Sequence, residues 1–274
     1  MGSTDLPDLS PHGYRVIGEL SRGGFGRVYL AHSERMNRQV AVKEMLERAE
    51  QEQSGEQVDS AEYRDRSRRF AQEGEMAGKF GDNPHIVTVH DFIDQRYLVL
   101  HYYKDGTLRD RLETVGALPL DEALVVAIGL CHALEDLWRE YIVHRDVKPE
   151  NTFLVLKRRD DGSSVVTRAA LGDFGIAQTR KHTGQMTFGL KHPGTPDYMS
   201  PEQDNGTQYL DVRSDLYAVG LILYEMLYGR RYKGSEHYLR GQAVPDEEHA
   251  YVGSILNKLL QKDVQARYST PEDL

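Results

Sequence analysis

Cysteine is almost missing from this chain: Cys131 stands alone among 274 residues, so no disulfide can close within it. That thiol lies in the apolar stretch EALVVAIGLCHAL, which predicts a packed core position, and the composition suits a reducing compartment, the cytoplasm. Long apolar runs are missing too. None reaches the roughly 18 residues that a membrane-spanning helix needs, and Met1-Gly2-Ser3 opens no signal-peptide core. An excess of positive charge is also lacking. With 34 Lys and Arg against 43 Asp and Glu, the net charge of −9 gives no general reason to bind nucleic acid or an anionic membrane, so any phosphate contact must be local. What remains is enough for a core: hydrophobic residues make up 39% of the chain, which predicts one large domain or two closely packed lobes.

Periodicity divides the chain. Tyr14 to Leu20, Arg27 to His32 and Gln39 to Met45 are rich in Val and Tyr and separated by glycine and polar turns, which predicts a small antiparallel sheet. Residues 47–69 are almost wholly polar, a solvated insert or helix extension, before a helical pattern carried by Phe70, Met76 and Phe80. Beyond Leu120 the spacing is helical over Ala123 to Tyr141, Ser214 to Tyr228 and His249 to Gln261, so the second half reads as mainly α. Ser269-Thr270-Pro271-Glu272-Asp273 has the capping hydroxyl, early proline and early acids of a helix start; we expect the chain to be part of a longer protein, which could carry a membrane anchor.

Four segments carry chemistry. Between the first two strands lies Leu20-Ser21-Arg22-Gly23-Gly24-Phe25-Gly26-Arg27-Val28, where glycines permit a tight turn and close backbone approach to a polyphosphate; alone, it fits an ordinary hairpin equally well. On the third strand, Val40 and Val42 face one side and Ala41 and Lys43 the other, the face that should also carry the glycine turn. A buried ammonium at Lys43 needs anions, either phosphates or Glu73 on the following helix. His144-Arg145-Asp146-Val147-Lys148-Pro149-Glu150-Asn151 packs a proton acceptor, a cation and an oxygen ligand for a hard metal between two apolar elements. Asp173-Phe174-Gly175 follows a further apolar stretch and offers a second oxygen ligand beside Asn151.

In this order and spacing the four segments resemble the eukaryotic-type protein kinases, and the likeness runs from Tyr14 to the end of the chain. It extends to Gly194-Thr195-Pro196-Asp197-Tyr198-Met199-Ser200-Pro201-Glu202, similar to the end of an activation segment, and to Asp211 to Tyr217, similar to the start of the central large-lobe helix. The resemblance implies an α+β bilobal fold: after an N-terminal tail (1–13), a small antiparallel β lobe with one helix spans about 14–100 and a larger helical lobe about 104–274. It implies ATP and Mg²⁺ as cofactors, protein Ser/Thr hydroxyls as acceptors, and self-association for trans-autophosphorylation. In that family's terms Leu20 to Val28 cover the phosphates, Lys43 grips them and Glu73 holds Lys43. Asp146 orients and deprotonates the hydroxyl, Lys148 neutralises the γ-phosphoryl, and Asn151 and Asp173 hold Mg²⁺. Adenine would lie between Val28 and Ala41 above and Phe153 below, beside Leu100 and the backbone of His101, Tyr102 and Tyr103. Lys148 and Thr195 resemble the serine/threonine branch, and Tyr198 to Gln203 has a bacterial style. Glu202 is expected to pair with Arg267, and Asp215 with the backbone of the His144–Arg145 turn.

Arg145 before Asp146 implies control by a phosphate on the activation loop, with Thr179, Thr183 and Thr187 as candidates and Thr187 preferred. This sequence departs from the family pattern at Ser21, in place of a glycine, at Phe153, where leucine is common, in the insert before Glu73 and in the extended hairpin 157–168. Two competing functions are a pseudokinase scaffold, against which every catalytic position is filled, and a small-molecule phosphotransferase, which would lack the segment from Gly194 to Glu202.

Overall fold

The computed structural model describes residues 6–23, 26–45, 67–68, 70–71, 74–75, 78–174, 178–179, 195–206, 210–240 and 250–274. The chain divides into two compact units, Met1–Tyr102 and Tyr103–Leu274.

Five antiparallel strands make the first unit: β1 (Tyr14–Gly23), β2 (Gly26–Ser33), β3 (Arg38–Glu44), β4 (Val89–Ile93) and β5 (Tyr97–His101), in the spatial order β1-β2-β3-β5-β4. Each sheet face has its own apolar cluster. On one, Val40 and Val42 of β3 meet Tyr14, Tyr29, Ala31, Tyr97 and Val99, and Leu9 of the segment before β1 completes the cluster. On the other, Leu98 meets Met45 and Phe70, with Leu100, Val89 and Phe92 packed around them. The predicted alternation along Val40-Ala41-Val42-Lys43 is therefore observed: the two valines are buried, Ala41 and Lys43 only partly. Glu44, the next residue, is buried among apolar groups and needs compensation. Tyr29 Oη donates to its Oε2 at 2.6 Å, and Arg96 Nη2 donates to its Oε1 at 2.6 Å.

The described residues between 67 and 79 are helical, as the Phe70 pattern predicts. Gly74 lets this helix lie close on β5, since a Cβ there would sit 2.6 Å from Leu98 Cδ2. Leu98 is the β5 partner of Lys43, so the helix crosses the strand beside that lysine. Glu73 itself, Gly24 and Phe25 lie outside the described residues.

The second unit is built on two long helices. In α2 (Leu120–Arg139), following the short α1 (Leu108–Val115), Ala123, Val126, Ala127, Leu130, Ala133, Leu134 and Leu137 form the buried stripe expected of an amphipathic helix. The helix α4 (Val212–Tyr228) follows the one-turn α3 (Pro201–Asp204) and is apolar nearly all round, so it is buried on every side. Its start is capped by Asp211, whose carboxylate accepts from Arg213 N, and Gly229 closes it in the left-handed conformation (φ 63°). The helix α5 (Ala250–Leu259) approaches it closely at Gly220, where a Cβ would lie 2.8 Å from Leu259 Cβ. Between α2 and α3 in the chain comes the hairpin β7 (Thr152–Arg158) and β8 (Ser164–Leu171), with β8 packed on α2; it is the extended hairpin anticipated from Asp161-Gly162, and Gly162 at its tip has φ 84°. Cys131 is half-buried on α2, and burial pushes its thiol up to about 12, which makes it an inert packed group. The helix start expected at 269–273 is a three-residue 3-10 turn, Pro271–Asp273, where Thr270 N donates to Asp273 Oδ2 at 2.9 Å. Among the described residues no helix is long and apolar enough to cross a membrane.

Candidate active site

The β7–β8 hairpin explains how residues far apart in sequence meet. In its register Thr152 pairs with Leu171, so the residue before β7, Asn151, lies opposite the residues after β8. Gly172 N donates to Asn151 O at 2.9 Å, which sets Asp173 beside Asn151. Asn151 in turn closes the loop that precedes it: its Nδ2 donates to Asp146 O at 2.9 Å and to Asp146 Oδ2 at 3.0 Å. Lys148 Nζ lies 2.7 Å from the same Oδ2 and donates to Thr195 Oγ1 at 3.0 Å. Asp146, Lys148, Asn151 and Asp173 thus occupy one end of one hairpin, all within the second unit.

Sequence reasoning passed over the group that fastens this loop, His144. It is fully buried, and burial lowers its pKa, so the ring is neutral. Its two nitrogens then have opposite roles. Asp146 N donates to Nδ1 at 3.3 Å, which leaves Nε2–H to donate to Gly172 O at 3.2 Å. The ring also meets Phe174 edge-on at 5.1 Å. One imidazole therefore holds the Asp146 loop to the Gly172–Asp173–Phe174 turn. The strain at both ends supports the same picture, for Arg145 (φ 71°) and Asp173 (φ 65°) are non-glycine residues in the left-handed region.

Asp215 underlies this loop as expected: its carboxylate accepts from His144 N and Arg145 N, both at 2.8 Å. Burial pushes its pKa up to about 7 against those two donors. Glu202 pairs with Arg267 through two bonds of 2.7 and 2.8 Å, as expected, and Ser214 Oγ adds a third at 2.7 Å. Burial works to raise the Glu202 pKa, yet the bonds from Arg267 and Ser214 outweigh it and hold the carboxyl at about 2.

A second network was not anticipated. Arg109 of α1 donates to Glu150 Oε1 and Glu225 Oε1, both at 2.9 Å, and also contacts the Tyr198 hydroxyl, which itself donates to Glu225. It joins the residue before Asn151 to the turn 196–198 and to α4. Nothing in the local sequence signals it, since Arg109 and Glu225 are 116 positions apart.

The remaining sequence-predicted residues lie as follows. Val28 pairs with Lys43 across β2 and β3, and Ala41 with Leu100 across β3 and β5. Leu20, Ser21 and Arg22 are exposed on β1, and Gly23 pairs with Gly26 at the turn. His101 N donates to Thr88 O at 2.9 Å, so that N–H is already engaged. Phe153 is half-buried, with its ring 5.3 Å from that of Tyr103. Thr179 is the β9 (Gln178–Thr179) partner of Ile142 in β6 (Ile142–Val143); Thr183, Thr187, Gly175 and Gly194 lie outside the described residues.

The donor set suits a hard cation. Asn151 Nδ2 is engaged by Asp146, so its amide oxygen is the atom that could serve a cation, and Asp173 adds an exposed carboxylate. Among the described residues no cluster of three His, Cys, Asp or Glu could hold a metal. One carboxylate and one amide oxygen match Mg²⁺ that is shared with phosphate oxygens.

Comparison with known proteins agrees. The family model described as protein kinase domain matches residues 14–274. A probable serine/threonine-protein kinase of Streptomyces coelicolor is 34% identical over 95% of this chain and 38% of its own length. A second from Clostridium perfringens is 31% identical over 95% of this chain and 37% of its own. The serine/threonine-protein kinase PknB of Mycobacterium leprae is 30% identical over 99% of this chain and 43% of its own. The chain thus spans well under half the length of these relatives.

Proposed function

The chain belongs to the protein kinase domain family, and we propose that it transfers the γ-phosphoryl group of ATP to serine and threonine hydroxyls of proteins. The observation that carries this reading is the convergence of Asp146, Lys148, Asn151 and Asp173 at one end of the β7–β8 hairpin. Bound Mg²⁺·ATP supplies the phosphoryl group and the charge that neutralises it. The chain's own residues position and stabilise. Asp146 Oδ2 is held by Lys148 and Asn151, while Oδ1 makes no hydrogen bond among the described residues and is the oxygen that takes up the acceptor hydroxyl proton. Lys148 stands between that carboxylate and Thr195, where it can offset charge on a transferring phosphoryl group. Asn151 and Asp173 would hold the metal, and Lys43, with Glu73 as its assigned partner, would hold the phosphates. Leu20 to Val28 would cover the phosphates, and Ala41, Leu100 and His101 would line the adenine.

The hydroxyl preference rests on the Lys148–Thr195 pair and on the likeness to serine/threonine-protein kinases. We further assign trans-autophosphorylation to the activation loop, at Thr187 before Thr183 and Thr179, with Arg145 receiving the phosphate, in a cytoplasmic setting. Transfer of radiolabelled phosphate from ATP to the protein itself and to myelin basic protein tests the reading. Asp146→Asn should lose about 10²–10⁴-fold in rate while still binding nucleotide. Label on small metabolites alone, or equal labelling by the variant, would refute it.

A further inference from the structure

The turn 195–198 is poorly held by its own backbone. Tyr198 N donates to Thr195 O at 2.9 Å, but the next bond, Met199 N to Pro196 O, is stretched to 3.4 Å. Its shape is therefore fixed from outside. Two of its residues are gripped by a segment that the proposed reaction leaves unused, the six residues Gly229-Arg230-Arg231-Tyr232-Lys233-Gly234 after α4. Glycines in the left-handed conformation bracket this segment, with φ 63° at Gly229 and 89° at Gly234. Tyr232 turns into the rings of Tyr224 and Tyr238, at 5.1 and 5.6 Å, and its two neighbours reach the turn. Arg231 Nη1 pairs with the Asp197 carboxylate, and Lys233 Nζ donates to the Pro196 carbonyl. Lys233 is the stronger of the two grips. Its side chain is 17% exposed against 49% for Arg231, and its ammonium also lies 3.7 Å from Asp204 Oδ2 on α3. A cation so covered cannot leave Pro196 without losing a partner it needs.

We infer that Arg231 and Lys233 are positioning residues for the protein acceptor: they set the turn 195–198 at the height where Thr195 meets Lys148, and so present the acceptor hydroxyl to Asp146. Among the described residues, neither is bonded to a group assigned to ATP or metal. The inference rests on the kinase reading above, and it predicts a specific split in the kinetics. In Lys233→Ala the KM for myelin basic protein rises about 5- to 10-fold while the KM for ATP stays within about twofold. Arg231→Ala, which breaks a half-exposed pair, raises the acceptor KM only about 2- to 3-fold, and this effect fades in high salt. Lys233→Arg keeps the wild-type value, and Asp197→Lys combined with Arg231→Glu recovers most of what either change loses alone.

Steady-state kinetics with each substrate varied in turn, alongside melting curves, provide the test. Active wild type with an unchanged acceptor KM in Lys233→Ala overturns the clamp alone. Parallel losses for ATP and acceptor, or losses tracking a lowered melting temperature, also overturn it, because they mark a structural role only. Wild type that transfers no phosphate to protein overturns the kinase reading and the clamp with it.

Discussion

At the scale of single residues, the charges that matter most are those folded away from water. Arg267 has no exposed side-chain surface, and its partner Glu202 is one-tenth exposed, so the pair lives in a medium where separation is costly. The bonds to Glu202 hold its carboxyl at about 2, below the ordinary glutamate value of 4.5. A depressed folded-state pKa favours the charged form in the native protein, so the stabilisation is complete above pH 4.5 and drains away as pH falls toward 2. A shift of this size corresponds to roughly 3 kcal/mol of stability lost across that window. Urea unfolding at pH 7, 4 and 3 should show it. In Glu202→Gln the protein is less stable at pH 7, by about 3 kcal/mol or more because Arg267 is left buried and unpaired, but its stability falls less steeply toward low pH. Parallel pH profiles for the two proteins would show that the pair does not set the acid limb. This contact was legible in advance only through family resemblance. Nothing in local sequence marks Glu202 and Arg267 as partners, 65 positions apart.

Elements were easier to foresee where one period governs them. The valines of β3, the buried stripe of α2 and the all-round apolarity of α4 each follow directly from spacing, and observed boundaries fall within a few residues of the expected ones. Close approach was less visible, because it depends on which element lies opposite. Gly26 at the start of β2 illustrates this. It reads as a flexible turn glycine beside a phosphate loop, yet a Cβ there would stand 2.1 Å from the Glu44 carbonyl oxygen on β3. The neighbour is backbone, which cannot swing aside, so Gly26→Ala must part β2 from β3 next to Lys43. We expect it to cost roughly 2–3 kcal/mol and to weaken nucleotide binding. Gly18 on β1 is the control, since a Cβ there meets nothing within 4 Å. Gly18→Ala should be neutral or gain about 0.5 kcal/mol through a less flexible unfolded chain. Thermal unfolding of the two variants decides the matter, and equal melting temperatures would remove Gly26 from the sheet's constraints. The networks around His144 and Arg109 escaped sequence reading for the same reason: an imidazole with two assigned nitrogens, or an arginine shared by three elements, exists only once β7, β8 and α4 are in place.

For the whole molecule, the two units hold different parts of the proposed chemistry. Lys43 and the glycine strands lie in Met1–Tyr102, and Asp146, Lys148, Asn151 and Asp173 in Tyr103–Leu274. Each unit has its own apolar core, so each can in principle melt alone, and a single transition is not guaranteed. Binding to the native state at a hundredfold excess over Kd contributes about 2.7 kcal/mol, which for a chain of this size raises the melting temperature by roughly 5–10 °C. Scanning calorimetry with ATP and Mg²⁺ should show that rise. Asp146→Asn should keep it, because that carboxylate is assigned to the acceptor hydroxyl and not to the nucleotide. Lys43→Met should lose it. A nucleotide-induced shift that survives Lys43→Met would place the phosphates elsewhere, and a shift without transfer in the wild type would mark a scaffold that binds ATP and does no chemistry.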